Sequence, residues 1–132
     1  MANSSTIAII DDDKIFHALT RRVIENAGTD QILEFYDGQE AFSYILENQH
    51  NPGQLPDLIF LDIQMPFMDG WQFLEQYVTI KIAKAIIIYI VSSSISSLDQ
   101  EKSHHFPVIK DFIIKPFTRE RILEVLSEFK AE

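Results

Sequence analysis

Cysteine is absent from the 132-residue chain, which removes disulfides, thiolate metal sites and cysteine nucleophiles together. The absence also agrees with a reducing compartment. Glycine and proline are scarce, at four and five, and 46% of the residues are hydrophobic, so the composition is that of an ordinary globular protein rather than a disordered one. Basic residues are the minority charge: 11 lysines and arginines against 20 acids leave a formal charge of -9. Binding to nucleic acid needs basic side chains that displace counterions from phosphates, so an acidic surface argues against it. The same surface suits divalent cations and basic protein partners. No apolar run reaches the length of a membrane span, and Met1 to Ser5 lacks the basic and apolar regions of a signal peptide. A cytoplasmic protein with no nucleic-acid or membrane partner is the expectation.

What is present is an alternation of strand and helix signals. Thr6 to Ile10 is a short apolar run that stops at three aspartates. From Lys14 to Ala27 the residues Ile15, Phe16, Leu19, Val23, Ile24 and Ala27 follow helical spacing, and Gly28 reads as a stop. Gln31 to Tyr36 is a second strand closed by Asp37-Gly38, and Ala41, Phe42, Ile45 and Leu46 mark a second helix. Asn48 to Pro56 is a polar loop. Leu58 to Leu61 is a third strand ending on Asp62, and Trp71, Phe73, Leu74, Tyr77 and Val78 form the stripe of a third helix. Ala85 to Val91 is isoleucine-rich without alternation, as strands buried on both faces are. Ser97 to Gln100 resembles a capping box opening a short fourth helix. Val108 to Ile114 is a fifth strand, and Thr118 to Lys130 a fifth helix with Ile122, Leu126 and Phe129 inward. Five alternations predict an α/β fold with a parallel sheet covered on both faces. One domain over residues 1–132 is expected, with residues 1–5 a flexible N-terminus.

In such sheets ligands gather at the carboxyl ends of the strands. Those ends carry Asp11, Asp12 and Asp13; then Asp62; then Ser92, Ser93 and Ser94; then Lys115-Pro116. Crowded carboxylates repel one another unless a cation neutralises them, and hard oxygen ligands suit Mg²⁺. A carboxylate nucleophile, Mg²⁺, a hydroxyl and an ammonium are the parts needed for phosphoryl transfer to an aspartate. Taken singly, each feature has a plainer reading. The aspartates could cap the first helix, Asp62 could be a turn residue, Lys115-Pro116 could merely end a strand and the serines could form a polar loop. The joint occurrence at four strand ends carries the case. His17, His50, His104 and His105 are expected on the surface, and Trp71 and the methionines in packing.

Four segments, Ile9 to Asp13, Asp57 to Gly70, Ile90 to Ser94 and Phe112 to Pro116, resemble the receiver domains of two-component response regulators. The resemblance covers essentially the whole chain. It implies a flavodoxin-like, doubly wound (βα)5 three-layer sandwich with a five-stranded parallel sheet in the order 2-1-3-4-5. It also implies that Asp62 is the phosphoacceptor, and that Asp11, Asp12, Asp62 and the Gln64 main-chain carbonyl hold Mg²⁺ or Mn²⁺. By the same resemblance Ser92 binds a phosphoryl oxygen, Lys115 pairs first with Asp62 and then with the phosphoryl group, and Ser92 and Phe112 form the switch. Phe112 stands where the family often has tyrosine, so its coupling rests on packing. Gln64 and Ser94 occupy positions linked to phosphate lifetime.

The implied partners are a sensor histidine kinase or histidine phosphotransfer protein, and a downstream protein on the face of the fourth helix, fifth strand and fifth helix. The implied activity is that of a signalling switch that catalyses its own phosphotransfer and autodephosphorylation, as a monomer or weak dimer. The chain ends soon after the fifth helix, so no output domain is expected. Two other readings stay open. A haloacid-dehalogenase-like phosphatase would use Asp11 as nucleophile and Asp13 as acid/base, although Ile15 departs from that family's pattern. A receiver that is never phosphorylated would serve as an interaction module.

Overall fold

Each apolar run becomes a strand of one parallel sheet in a computed structural model that describes residues 5–28, 31–82, 84–116 and 118–130. The expected flexible N-terminus lies outside the described residues except for Ser5. The strands are β1 (Thr6–Ile10), β2 (Gln31–Phe35), β3 (Leu58–Asp62), β4 (Ile87–Ser92) and β5 (Ile109–Ile114). The helices are α1 (Lys14–Ala27), α2 (Gly38–Glu47), α3 (Gly70–Tyr77), α4 (Ser97–Ser103) and α5 (Arg119–Lys130). The strand order is β2-β1-β3-β4-β5, all pairs parallel, which is the doubly wound order implied by the resemblance.

Successive side chains of a strand point to opposite faces, so the continuous apolar runs feed two cores at once. Ala8, Ile10, Ile59, Leu61, Ile88 and Ile90 pack with α2 and α3 through Ala41, Ile45, Phe73 and Leu74. Ile7, Ile9, Leu58, Phe60, Tyr89 and Val91 pack with α1 and α5 through Phe16, Ile24, Ile122 and Leu126. The edge strands β2 and β5 are the less buried ones.

Two local expectations change. On α1 the buried stripe is Phe16, His17, Thr20, Val23 and Ile24, whereas Ile15 is 72% exposed and Leu19 is also exposed. Helical spacing admitted either flank of Phe16, and the sheet selects the one facing Val23. On α4 the capping box is shifted by one residue: Ser96 and Asp99 exchange the reciprocal bonds, not Ser97 and Gln100. Asp99 is drawn to that role because its other oxygen accepts from the Trp71 indole at 3.1 Å. Burial opposes its charge, but the Ser96 and Trp71 hydrogen bonds hold its carboxyl below the usual range.

The start of α3 is pressed onto the end of β3. A Cβ at Gly70 would stand 2.7 Å from the Asp62 carbonyl oxygen and the Ile63 Cα, both backbone atoms that cannot step aside. Gly70→Ala is therefore expected to cost about 1–3 kcal/mol of stability, as overpacking does. Gly53→Ala, with nothing within 4 Å of its added methyl, is expected to be near neutral. Urea unfolding of both variants checks the contrast.

Candidate functional site

The strand ends place Asp11, Asp12 and Asp62 together, with one carboxylate oxygen from each lying within 4.8 Å of the others. Asp11 is fully buried, Asp62 is 4% exposed and Asp12 is exposed, so the cluster has a dry floor and a wet rim. The two buried acids are held alike. The Asp13 N–H donates to Asp11 Oδ1 at 2.8 Å, and the Gln64 N–H donates to Asp62 Oδ1 at 2.9 Å. These are Asx turns, in which an aspartate accepts from the backbone two residues on.

Asp13 has a different occupation. Its side chain accepts from the Ile15 and Phe16 N–H groups and caps α1. The plain capping reading therefore holds for Asp13.

Lys115 follows β5 and reaches into the same cluster. Its ammonium lies 2.8 Å from Asp11 Oδ2 and 3.7 Å from Asp13 Oδ2, over the Phe16 ring. The pairing is thus with Asp11, where Asp62 was expected; Asp62 acts on Lys115 through its charge alone. Burial disfavours the ammonium, but the neighbouring carboxylates, Asp11 foremost, outweigh that and raise its pKa. Ser92 is buried and its hydroxyl donates to the Ser94 carbonyl at 2.7 Å. Ser93 donates to Gln64 Oε1 at 3.0 Å, linking the loops after β3 and β4. Ser94 and Gln64 are exposed, and Phe112 is partly buried against the α2–α3 side of the core.

A divalent metal fits these residues. Hard oxygen donors converge, and the buried Asp11 Oδ2 has one cation, the Lys115 ammonium at 2.8 Å, to offset three clustered carboxylates. Beside the cluster opens a groove of about 290 Å³ lined by Ile15, Phe16, Leu19, Pro116, Ser93 and Lys115. Sequence reasoning missed one residue. His17, expected on the surface, is 2% exposed and its Nε2 lies 2.7 Å from the Asp11 carbonyl oxygen. His50, His104 and His105 are exposed as expected.

Burial pushes the Asp62 carboxyl up to about 7, and the Asp11 carboxylate adds to this, against the Gln64 N–H and Lys115. The unfolded chain ionises the same group near 3.8. Between about pH 4 and about pH 7 the metal-free folded form therefore keeps a proton that the unfolded form has released. Stability falls as pH rises through that window, and the loss is complete above it. Asp62→Asn is expected to flatten this slope, and Mg²⁺ to raise the neutral-pH melting temperature of the native chain more than that of the variant. Thermal scans across the window, with and without Mg²⁺, check both; a flat native profile would mean that Asp62 is ionised throughout.

Comparison with known proteins identifies the family. A family model described as the response regulator receiver domain matches residues 7–127. A chemotaxis protein CheY of Listeria monocytogenes is 29% identical over 123 residues, which cover 92% of this chain and 95% of that protein. Response regulator GtcR of Aneurinibacillus migulanus is 32% identical over 130 residues, covering 98% of this chain but 48% of its own length. Among solved structures, a two-component response regulator from Cytophaga hutchinsonii has a TM-score of 0.82 at 22% identity, covering 98% of this chain and all of that one, which speaks to the fold. With the family match spanning nearly the whole chain and the sheet order in agreement, this chain belongs to the receiver domains of two-component response regulators.

Proposed function

We propose that this receiver accepts a phosphoryl group on Asp62, from a phosphohistidine of a sensor histidine kinase or a histidine phosphotransfer protein, and signals by changing shape. The observation that carries this reading is the gathering of Asp62 with Asp11, Asp12 and Lys115 at the carboxyl end of the sheet. Asp11, Asp12, Asp62 and the Gln64 carbonyl would hold Mg²⁺ or Mn²⁺. Bound there, the ion supplies positive charge that offsets repulsion between the carboxylates and an incoming phosphoryl group.

An Asp62 oxygen attacks phosphorus as the bond to the donor histidine nitrogen opens, and the imidazole leaves. Lys115, already drawn into the cluster, meets the arriving oxygens. The new group carries about two negative charges, and it competes with the Ser94 carbonyl for the Ser92 hydroxyl. Ser92 turning toward it releases the loop after β4, and Phe112 responds through packing. Water ends the modified state by attacking phosphorus, which breaks the bond to the Asp62 oxygen and releases inorganic phosphate, with Gln64 and Ser94 flanking its approach. The apolar groove at Ile15 and Leu19 offers a seat for the phosphodonor beside Lys115. The α4–β5–α5 face, with Leu98 and Ile114 exposed, would receive the downstream partner. Among the described residues no helix is long and apolar enough to cross a membrane, in keeping with a cytoplasmic setting.

Intact-mass spectrometry after incubation with acetyl phosphate tests the reading. One phosphoryl adduct is expected that needs both Mg²⁺ and Asp62, and is lost in Asp62→Asn. An adduct that survives Asp62→Asn and vanishes in Asp11→Asn would establish the phosphatase chemistry. No adduct, and no binding of beryllofluoride, would leave an interaction module that is never phosphorylated.

A further inference from the structure

The imidazole of His17 sits in the first turn of α1, buried, with both ring nitrogens facing acceptors. Nε2 is 2.7 Å from the main-chain carbonyl of Asp11, and since a carbonyl only accepts, Nε2 is the donor. Nδ1 is 2.9 Å from Glu34 Oε2 on β2. The other Glu34 oxygen pairs with the Arg21 guanidinium, and the Tyr36 ring stacks on the imidazole at 4.1 Å between centroids. Apart from the Asp11 carbonyl, the ring is fixed by Glu34 and Tyr36, which have no part in phosphoryl transfer.

What it holds is more telling than how it is held. The Asp11 carbonyl belongs to the peptide unit that joins Asp11 to Asp12, two of the three clustered carboxylates. On its other side Asp11 is anchored to the sheet, its N–H donating to the Phe35 carbonyl at 3.0 Å. The α1 ladder begins downstream, with the His17 N–H on the Asp13 carbonyl, and leaves the Asp11–Asp12 unit outside the helix. Rotation of that unit would swing the exposed Asp12 carboxylate relative to the buried Asp11. The His17 side chain supplies a hydrogen bond that resists it.

We infer that His17 is a positioning residue for the metal-holding acids: by fixing the Asp11–Asp12 peptide plane it sets the affinity of the site for Mg²⁺. This rests on the reading of Asp11, Asp12 and Asp62 as metal ligands. Hydrogen bonds that orient ligands from outside the coordination sphere have measurable effects on affinity. A histidine that merely filled space would act on stability and leave affinity alone.

Calorimetric Mg²⁺ titration of the full chain at one fixed pH, alongside metal-free melting temperatures, separates the two. His17→Met keeps the bulk and removes the donor, while His17→Gln keeps an amide N–H at comparable reach. His17→Met is expected to weaken Mg²⁺ binding about tenfold and His17→Gln no more than about threefold, even if both melt at the same lowered temperature. If His17→Met does not fold, Glu34→Met loosens the ring without touching the acids, and a loss of about threefold is expected. Native-like affinity in His17→Met or its substitute, or equal weakness in the Met and Gln variants, would overturn the inference alone. A native chain that binds no Mg²⁺ would overturn the metal reading and this inference with it.

Discussion

Two carboxylates buried side by side set the terms for the rest of this site. Asp11 and Asp62 each lose water on folding, and each raises the cost of charge on the other. Neither can swing away, because a backbone N–H two residues on holds one oxygen of each. Lys115 relieves part of the repulsion but stands against Asp11, and Asp62 is left with a carboxyl that ionises only near neutrality. A site built this way is short of positive charge, and a divalent cation or an ordered ammonium improves it. That deficit belongs to the arrangement of the cluster rather than to any single residue.

The sheet order explains how the deficit arises. The chain runs outward from β1 to β2 and then back across to β3, so the reversal falls between β1 and β3. The ends of those two central strands are necessarily neighbours, and they are where Asp11 and Asp62 lie. Ser92 and Lys115 come from the next two strands along. Lys115 must therefore reach back across β4 and β3, and its ammonium comes to rest over the Phe16 ring of α1. The same helix carries His17 beneath the cluster and Ile15 and Leu19 beside it. One helix therefore sets an aromatic ring, a buried histidine and an apolar flank beside acids that stand at the ends of strands.

The strands were legible because burial on both faces removes the need for polar residues, and the runs stand out as unbroken isoleucine and leucine. The acids were legible because each interrupts such a run at its end, where nothing in strand packing calls for aspartate. Other features depend on neighbours distant in sequence. His17 looks like a surface residue until Glu34, on an edge strand 17 positions away, supplies a partner for its ring. Ile15 and Leu19 fit helical spacing as well as Val23 and Ile24 do, and only the position of the sheet separates them. The choice of Asp11 over Asp62 by Lys115 turns on ångström distances that a sequence does not carry. The shift of the α4 cap to Ser96 likewise depends on Trp71, which comes from another helix.

The fourth helix shows why a change at Asp62 need not stay local. It has seven residues and none of them is buried, so it is held by its ends rather than by the core. Its N-terminus is fixed by Asp99, which joins the Ser96 cap to the Trp71 indole, and Trp71 stacks on Phe106 just beyond the helix. The loop leading into it is held by the Ser92 hydroxyl on the Ser94 carbonyl. Segments with little buried apolar surface open at low free-energy cost. The Ser92 hydroxyl also accepts from the Ser94 N–H at 3.3 Å, so turning it away loosens both ends of that short link, whereas a lost bond inside β3 or β4 is absorbed by the ladder on either side. The sheet is tied on both sides where the acids stand, and the helix after β4 is tied mainly at its ends.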